Sequence, residues 1–292
     1  MEALKALALV SLVACGRLSF DPLGDGAPRD APANCLGTGT FSSITPVTAV
    51  NNEDTQYGSF IAPDGLALYY DQPVGTDERL FFTTRPDRAS PFGPGKLVPG
   101  IDATGNDGDA TITGDGLELY FESDRGASMC LWRATRTSIT EPFALPVRQS
   151  QFCSSGEVVG PAVSADGTTL AYNSSLDALS EGDLYVSFRT DVTAPFSVGT
   201  KLANLPAGIG FPALSKDRLR IWFEHDTGSS LELMTAQRIS PSDDFSQVRT
   251  VPELNFGDTQ GDISLTLDEA EVGFSSRTAG NYDVYTATRP CL

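Results

Sequence analysis

The side chains able to do chemistry in this chain are almost all carboxylates. The sequence holds 38 Asp and Glu against 20 Lys and Arg, with one histidine and five cysteines. Asp71, Asp107, Asp109, Glu122, Glu224 and Asp262 stand at the ends of alternating apolar stretches or in the polar loops beside them. Brought together, they suit a hard cation such as calcium, which prefers oxygen ligands, or the hydroxyls of a sugar. Two carboxyls facing one pocket would also serve glycoside hydrolysis, one as acid and the other as base or nucleophile. Asp107-Gly108-Asp109 begins like a calcium loop but lacks the full spacing of one. An acidic rim held in water by its own charge uses the same residues.

Other chemistries lack parts. His225 sits beside Asp226, but no Gly-x-Ser-x-Gly stretch offers a nucleophile for it. No Cys-x-x-Cys spacing suggests a thiolate metal site, and no motif requires a cofactor. The formal charge of −18 is spread along the chain. Nucleic acid binding needs clustered Lys and Arg, so it is excluded, as is attraction to an anionic membrane surface. Solubility, cation binding or a basic partner remain.

What positions these acids is a repeat. Asp64, Asp115, Asp166, Asp217 and Asp268 each open a turn, and successive members are 51 residues apart. Gly follows in the first three (Gly65, Gly116, Gly167) and is lost in the last two. Five copies at constant spacing predict a repeat architecture. Each unit holds four strand-like pieces. Strand a precedes the turn. Strand b follows it, with Leu117, Leu119 and Phe121 alternating with Glu118, Tyr120 and Glu122. That period of two marks a strand with two unlike faces. Strand c ends in Arg85, Arg136, Arg189, Arg238 or Arg289, and strand d begins near Phe92, Phe143, Phe196 or Phe245. No stretch carries a helical period. The expectation is an all-β, five-bladed β-propeller of four-stranded antiparallel blades over residues 41–292. Phe41 lies 51 residues before Phe92 and begins an extra strand d, which should complete the last blade and remove the open edges.

The chain opens MEALKALALVSLVACG. Its apolar run is too short to span a bilayer and reads as a signal peptide, residues 1–15. Leu12-Val13-Ala14-Cys15 resembles the bacterial lipobox, which implies lipidation at Cys15. Gly16 after that cysteine, by analogy with enteric lipoproteins, leans toward the outer membrane. Residues 16–40 are rich in Gly, Pro, Ala and Asp and read as a flexible tether. With Cys15 lipidated, two cysteine pairs remain. Cys35 precedes the closing strand and Cys291 follows the last strand c, so they should meet at the closure. Cys130 and Cys153 fall near one face and form the second candidate pair.

Pro161, Ser164, Asp166, Gly167 and Leu170, with Ser123 and Arg125, Ser276 and Arg277, and Asp183-Leu184-Tyr185, follow a pattern similar to the WD-repeat-like propellers of the TolB C-terminal domain and of many bacterial lipoproteins. The resemblance covers most of residues 41–290. It implies the propeller fold. The N-terminal αβ domain of TolB has no counterpart in this sequence.

In this scheme the turn Asp and the strand-c Arg share one face, and pairs such as Asp64 with Arg85 are read as a structural bracket repeated in each blade. A site should lie on the opposite face, where strand b ends in Asp71, Glu122, Asn173, Glu224 and Ser275. The expected function is a non-catalytic, lipid-anchored scaffold of the bacterial cell envelope, periplasmic or surface-exposed, binding an envelope protein, a peptidoglycan-associated component or a glycan. The alternative is a carbohydrate-binding or glycoside-hydrolase-like propeller that uses the acidic channel mouth.

Overall fold

The computed structural model describes residues 39–101, 105–126, 128–153, 156–175, 182–278 and 280–290. The expected signal peptide, Cys15, nearly all of the expected tether, Cys35 and Cys291 lie outside them, and so does the expected Cys35–Cys291 bond.

Twenty strands make five four-stranded antiparallel sheets. Blade one is β2 (Tyr57–Ile61), β3 (Ala67–Val74), β4 (Asp77–Thr84) and β5 (Lys96–Leu97). Blade two is β6 (Asp107–Ile112), β7 (Glu118–Ser123), β8 (Cys130–Thr135) and β9 (Val147–Arg148). Blade three is β10 (Glu157–Val163), β11 (Thr169–Ser175), β12 (Asp183–Phe188) and β13 (Thr200–Lys201). Blade four is β14 (Ile209–Leu214), β15 (Arg220–Asp226), β16 (Leu231–Gln237) and β17 (Ser246–Thr250). Blade five takes β18 (Thr259–Leu265), β19 (Glu271–Arg277) and β20 (Tyr282–Thr288), and β1 (Ser42–Pro46) from the start of the domain pairs with β20 as its outer strand. The inner strands β2, β6, β10, β14 and β18 follow one another around the axis and close on themselves. The architecture expected from the repeat is the one observed, and no helix occurs among the described residues.

The hydrophobic core lies between blades. Five clusters each join one blade to the next; for example Tyr69, Leu80 and Ile101 of blade one pack on Leu119, Phe121 and Phe143 of blade two. Phe41, ahead of β1, packs with Trp222, Leu233 and Phe274 and ties the closing strand into the four–five interface. Strand alternation explains this arrangement. One face of each sheet meets the preceding blade and the other meets the following blade, so both faces are apolar near the middle and the polar residues collect at strand ends.

The turn between inner strand and second strand keeps one geometry in all five blades. The Asp carboxylate accepts from the backbone N–H two residues on, at Leu66, Leu117, Thr168, Leu219 and Ala270, over 2.8–3.1 Å. The residue after the Asp has positive φ in every copy: Gly65, Gly116 and Gly167, then Arg218 (61°) and Glu269 (55°). Blades four and five thus keep the glycine conformation without the glycine, which costs an L-residue about 1 kcal/mol or more.

The expected pairing of Asp64 with Arg85, and of the equivalent residues, is not formed. Each bracket arginine instead donates Nε to the carbonyl of that positive-φ residue: Arg85 to Gly65, Arg136 to Gly116, Arg189 to Gly167, Arg238 to Arg218 and Arg289 to Glu269, over 2.5–2.8 Å. Its guanidinium stacks on the strand-d phenylalanine, 4.4–4.6 Å from the ring centroids of Phe92, Phe143, Phe196, Phe245 and Phe41. The Asp is already occupied by the turn's own N–H, so the carbonyl left facing outward becomes the acceptor. Sequence spacing located the bracket; the phenylalanine is its third member.

Cys130 at the start of β8 and Cys153 before β10 are bonded, with Cα atoms 5.6 Å apart across 23 residues. Closing a loop of this length stabilises a fold by about 3 kcal/mol through the unfolded state. Urea denaturation of a Cys130→Ala/Cys153→Ala chain should show a loss of this order, and reductant should add nothing to it. An unchanged midpoint would mean that the loop is already restrained when open.

Candidate functional site

Each inner strand carries a bulge where it passes the axis. The register with the second strand slips between Tyr57 and Phe60, Gly108 and Thr111, Val159 and Ala162, Gly210 and Ala213, and Gly261 and Ser264. Within these slips lie Gly58, Asp109, Gly160, Phe211 and Asp262, successive members again 51 residues apart and all with φ between 48° and 61°. A bulge turns its extra residue out of the regular alternation. Three of the five positions hold residues with side chains despite that conformation, so Asp109, Phe211 and Asp262 stand in the channel wall.

The bulge amides bind acids from the neighbouring blade. Asp109 N–H lies 3.1 and 3.2 Å from the two carboxylate oxygens of Asp71, within β3. Gly160 N–H donates to Glu122 Oε2 (2.9 Å), and Gly58 N–H donates to Asp262 Oδ2 (2.8 Å). In blade three Asn173 stands in the same place and its amide nitrogen donates to the Ile209 carbonyl at 2.7 Å. The Glu224 carboxylate lies against Gly261, where a Cβ would come within 2.5 Å of its Oε2. The strand-b residues of blades one to four thus reach the next blade, and Asp262 on the inner strand of blade five closes the ring onto blade one.

Four carboxyls meet inside this ring: Asp71, Asp109, Glu122 and Asp262. Asp71 is wholly buried, and the other three are half-buried. Burial, together with the charges of Asp262, Glu122 and Glu78, holds Asp71 well above the usual carboxylate range. Burial and the charges of Glu122, Asp71 and Asp262 do the same to Asp109. Asp109 and Glu122 are hydrogen-bonded to each other. Burial pushes Glu122 up to about 7, against the opposing hydrogen bonds from Gly160 and Asp109. Asp262 is also raised by burial, while Gly58 and Ser275 pull it down. Beside the cluster, Tyr57 donates its hydroxyl to Glu78, and burial and that carboxylate raise the phenol. Tyr57, Glu78 and the bulge ring were not singled out from sequence. The 51-residue spacing of positions 58, 109, 160, 211 and 262 was the signal available.

Asp107 does not join the cluster. In a regular strand it would share a face with Asp109. The bulge turns Asp109 toward the axis, while Asp107 is bound by Arg125 Nη2 at 2.6 Å, and that guanidinium packs over the rings of Phe121 and Trp132. Among the described residues no group of three or more His, Cys, Asp or Glu side chains is arranged to hold a metal ion.

A cavity of about 1370 Å³ runs from the bulge ring toward the face of the Asp-Gly turns. Asp109, Asp262 and Phe211 line its inner end, apolar groups including Phe60, Val163 and Leu265 its wall, and Arg133, Arg136 and Lys216 part of its rim. The sequence placed the site on the opposite face. Asp71, Glu122 and Glu224 do lie toward that face, but the large open volume is on the turn side.

No protein-family model matches the chain, and no curated protein matches it in sequence. Solved structures similar to it are β-propellers, distant in sequence. TolB from Acinetobacter baumannii has 12% identity and a TM-score of 0.52, over 83% of this chain and 56% of that one. The chain thus spans about half of the TolB chain it matches. The catalytic domain of a GH62 α-L-arabinofuranosidase from Coprinopsis cinerea has 11% identity and a TM-score of 0.56, over 89% and 98%. A GH43_1 enzyme from Xanthomonas citri, complexed with xylotriose, has 14% identity and a TM-score of 0.57, over 85% and 89%. At these identities the likeness is one of fold. It joins a TolB-like propeller on one side and glycoside hydrolases on the other.

Proposed function

We propose that this chain is a non-catalytic, lipid-anchored β-propeller that acts as a binding scaffold in the bacterial cell envelope, for an envelope protein or a glycan. The observation that supports it is the use made of the acids. Asp71, Glu122 and Asp262 each accept a backbone N–H of the neighbouring blade, and Asp109 is hydrogen-bonded to Glu122. A glycoside hydrolase needs an acid and a base both free to face one sugar, about 5 Å apart or about 6.5–9.5 Å apart. Carboxyls that share a proton and hold the blades together are committed elsewhere. The broad cavity on the turn side offers the binding volume without such a pair.

A carbohydrate-active reading has one observation in its favour. Glu122, pushed up to about 7, has the proton affinity of a general acid at neutral pH, and Asp109 and Asp262 line the cavity. The two readings separate on turnover. The purified protein should leave aryl xylosides and arabinosides intact, and its melting temperature should rise with the glycan or peptidoglycan fragment that it binds. Hydrolysis that disappears in Glu122→Gln would replace the scaffold with an enzyme.

A further inference from the structure

The repeat supplies its own control for each blade interface. Position 118 and its equivalents, 51 residues apart, are Ala67, Glu118, Thr169, Arg220 and Glu271. The bracket arginine of the next blade reaches this position. Arg189 Nη2 meets Glu118 Oε2 at 2.7 Å, and Arg85 Nη2 meets Glu271 Oε2 at 2.5 Å. Where Arg220 occupies the position, Glu269 bridges Arg220 and Arg289 at 2.5 and 2.7 Å. Where Ala67 occupies it, Arg136 bonds the side chain of Tyr69.

The interface between blades three and four is different. Thr169 stands where the glutamates stand, and Arg218 and Arg238 are neighbours there. Arg218 Nη1 donates to Thr169 Oγ1 at 3.3 Å, and Arg238 Nε donates to the carbonyl of Arg218. Arg238 is 9% exposed; its guanidinium stacks on Phe245, and its only other hydrogen bond among the described residues is a long one of 3.4 Å to the Asp243 carbonyl. Among the described residues no carboxylate lies within ion-pair distance of either arginine. The nearest in effect are Asp243 and Asp166, and Asp166 is already bound by Ser164 and Thr168. Burial and the charge of Arg218 make Arg238 a weaker base than usual. Lys216 and Arg220 lie in the same turn sequence, SKDRLR, in a chain of net charge −18. A buried cation without a counter-ion is costly, and paired guanidinium forks match tetrahedral oxyanions.

We propose that the Arg218–Arg238 pair binds a tetrahedral oxyanion, phosphate or sulfate, which takes at the three–four interface the place that Glu118 and Glu271 take at two others. The anion supplies the charge that Thr169 does not bring to the position where Glu118 and Glu271 stand in other blades. It docks on the turn face, beside the rim of the central cavity, and Thr169 Oγ1 is a third polar group at the site.

Thermal melts at constant ionic strength, with inorganic phosphate or sulfate replacing chloride, test this directly. Phosphate at tenfold over its dissociation constant should raise the melting temperature by roughly 3 °C. Two variants must lose the shift. Arg218→Gly restores the glycine that blades one to three carry at this positive-φ position, so it removes the guanidinium while relieving the backbone. Thr169→Glu installs the carboxylate found at the other interfaces and fills the site from within. Should Thr169→Glu not fold, Arg218→Gly alone decides. A wild-type shift lost in the variants supports the site. No shift beyond chloride, or one that persists in Arg218→Gly, overturns it. Sedimentation with phosphatidylglycerol vesicles separates the sources: Arg218-dependent binding assigns the phosphate to a lipid headgroup, and a soluble-phosphate shift without it assigns a free anion.

Discussion

The propeller should lose stability as the pH rises from about 5 to 8, opposite to the behaviour of a protein whose carboxylates are all held by cations. The cause is the buried cluster of Asp71, Asp109, Glu122 and Asp262, each of which holds its proton more tightly in the fold than in the open chain. Glu122 moves from an ordinary value of 4.5 to about 7. Above pH 4.5 the unfolded chain releases that proton while the fold keeps it, so the unfolded state gains with each step in pH. The loss levels off once the fold itself titrates near 7. Integrated over this window, Glu122 alone accounts for about 3 kcal/mol, and the other three act with the same sign. Below pH 4.5 the trend reverses. Glu118 and Asp268 have lowered values because arginine and hydroxyl hydrogen bonds outweigh burial, and the stability they give is lost as they protonate. Maximum stability therefore falls near pH 4.5. Urea denaturation at steps of one pH unit measures the curve. Glu122→Gln isolates the cluster from the general repulsion of a chain with charge −18. The amide oxygen can still accept from Gly160, and the amide nitrogen replaces the shared proton to Asp109. This variant should be flatter between pH 5 and 8 and more stable than wild type at pH 8. A wild-type curve that is level or rising over that range, or an equal slope in the variant, would sink the assignment.

The phase of the repeat carried nearly all of the fold in the sequence. Asp-Gly turns, alternating apolar strands and a spare strand d at Phe41 suffice to count blades and close the ring, because they depend on local backbone needs that recur at a fixed interval. The partners of those residues were less legible. An Asp and an Arg on one face look like an ion pair, yet the turn's own N–H takes the Asp and a phenylalanine ring takes the guanidinium. Both competitors are nearer in the fold than in the chain. The site was half legible. Asp71, Asp109, Glu122 and Asp262 were among the six acids singled out, and Glu224 lies on the same ring. Asp107 went elsewhere because the bulge at Asp109 breaks the two-residue period that had linked them. The bulge ring has no constant residue type, only a constant position. Gly, Asp, Gly, Phe and Asp do not look like a motif until their shared positive φ is seen.

Replacing Glu118 by Ala should cost about 3–5 kcal/mol, the largest effect expected of any single polar side chain in the ring. Glu118 is 7% exposed and collects four donors. Arg133 reaches it through Nη2 (2.6 Å) and Nε (3.2 Å), Tyr120 through its hydroxyl (2.9 Å), and Arg189 of the next blade through Nη2 (2.7 Å). Its removal strands Arg189, whose side chain is 2% exposed, with a full charge, the Phe196 ring, and only the carbonyls of Gly167 and Val192 as hydrogen-bond partners. The damage is thus the uncompensated cation more than the lost attraction. That distinction has a measurable consequence. In a double-mutant cycle by urea denaturation, Glu118→Ala with Arg189→Ala should be clearly less harmful than the sum of the two single changes, because the second substitution removes the charge that the first exposes. Simple additivity, or a Glu118→Ala loss below about 1 kcal/mol, would show that water reaches Arg189 and that the pin is a surface pair. The same logic ranks the interfaces. Two–three, four–five and five–one are pinned by ion pairs, while one–two and three–four hold no carboxylate at this position; of these two, three–four carries two arginines, so on the proposed anion site it should open before the pinned interfaces when phosphate is withheld.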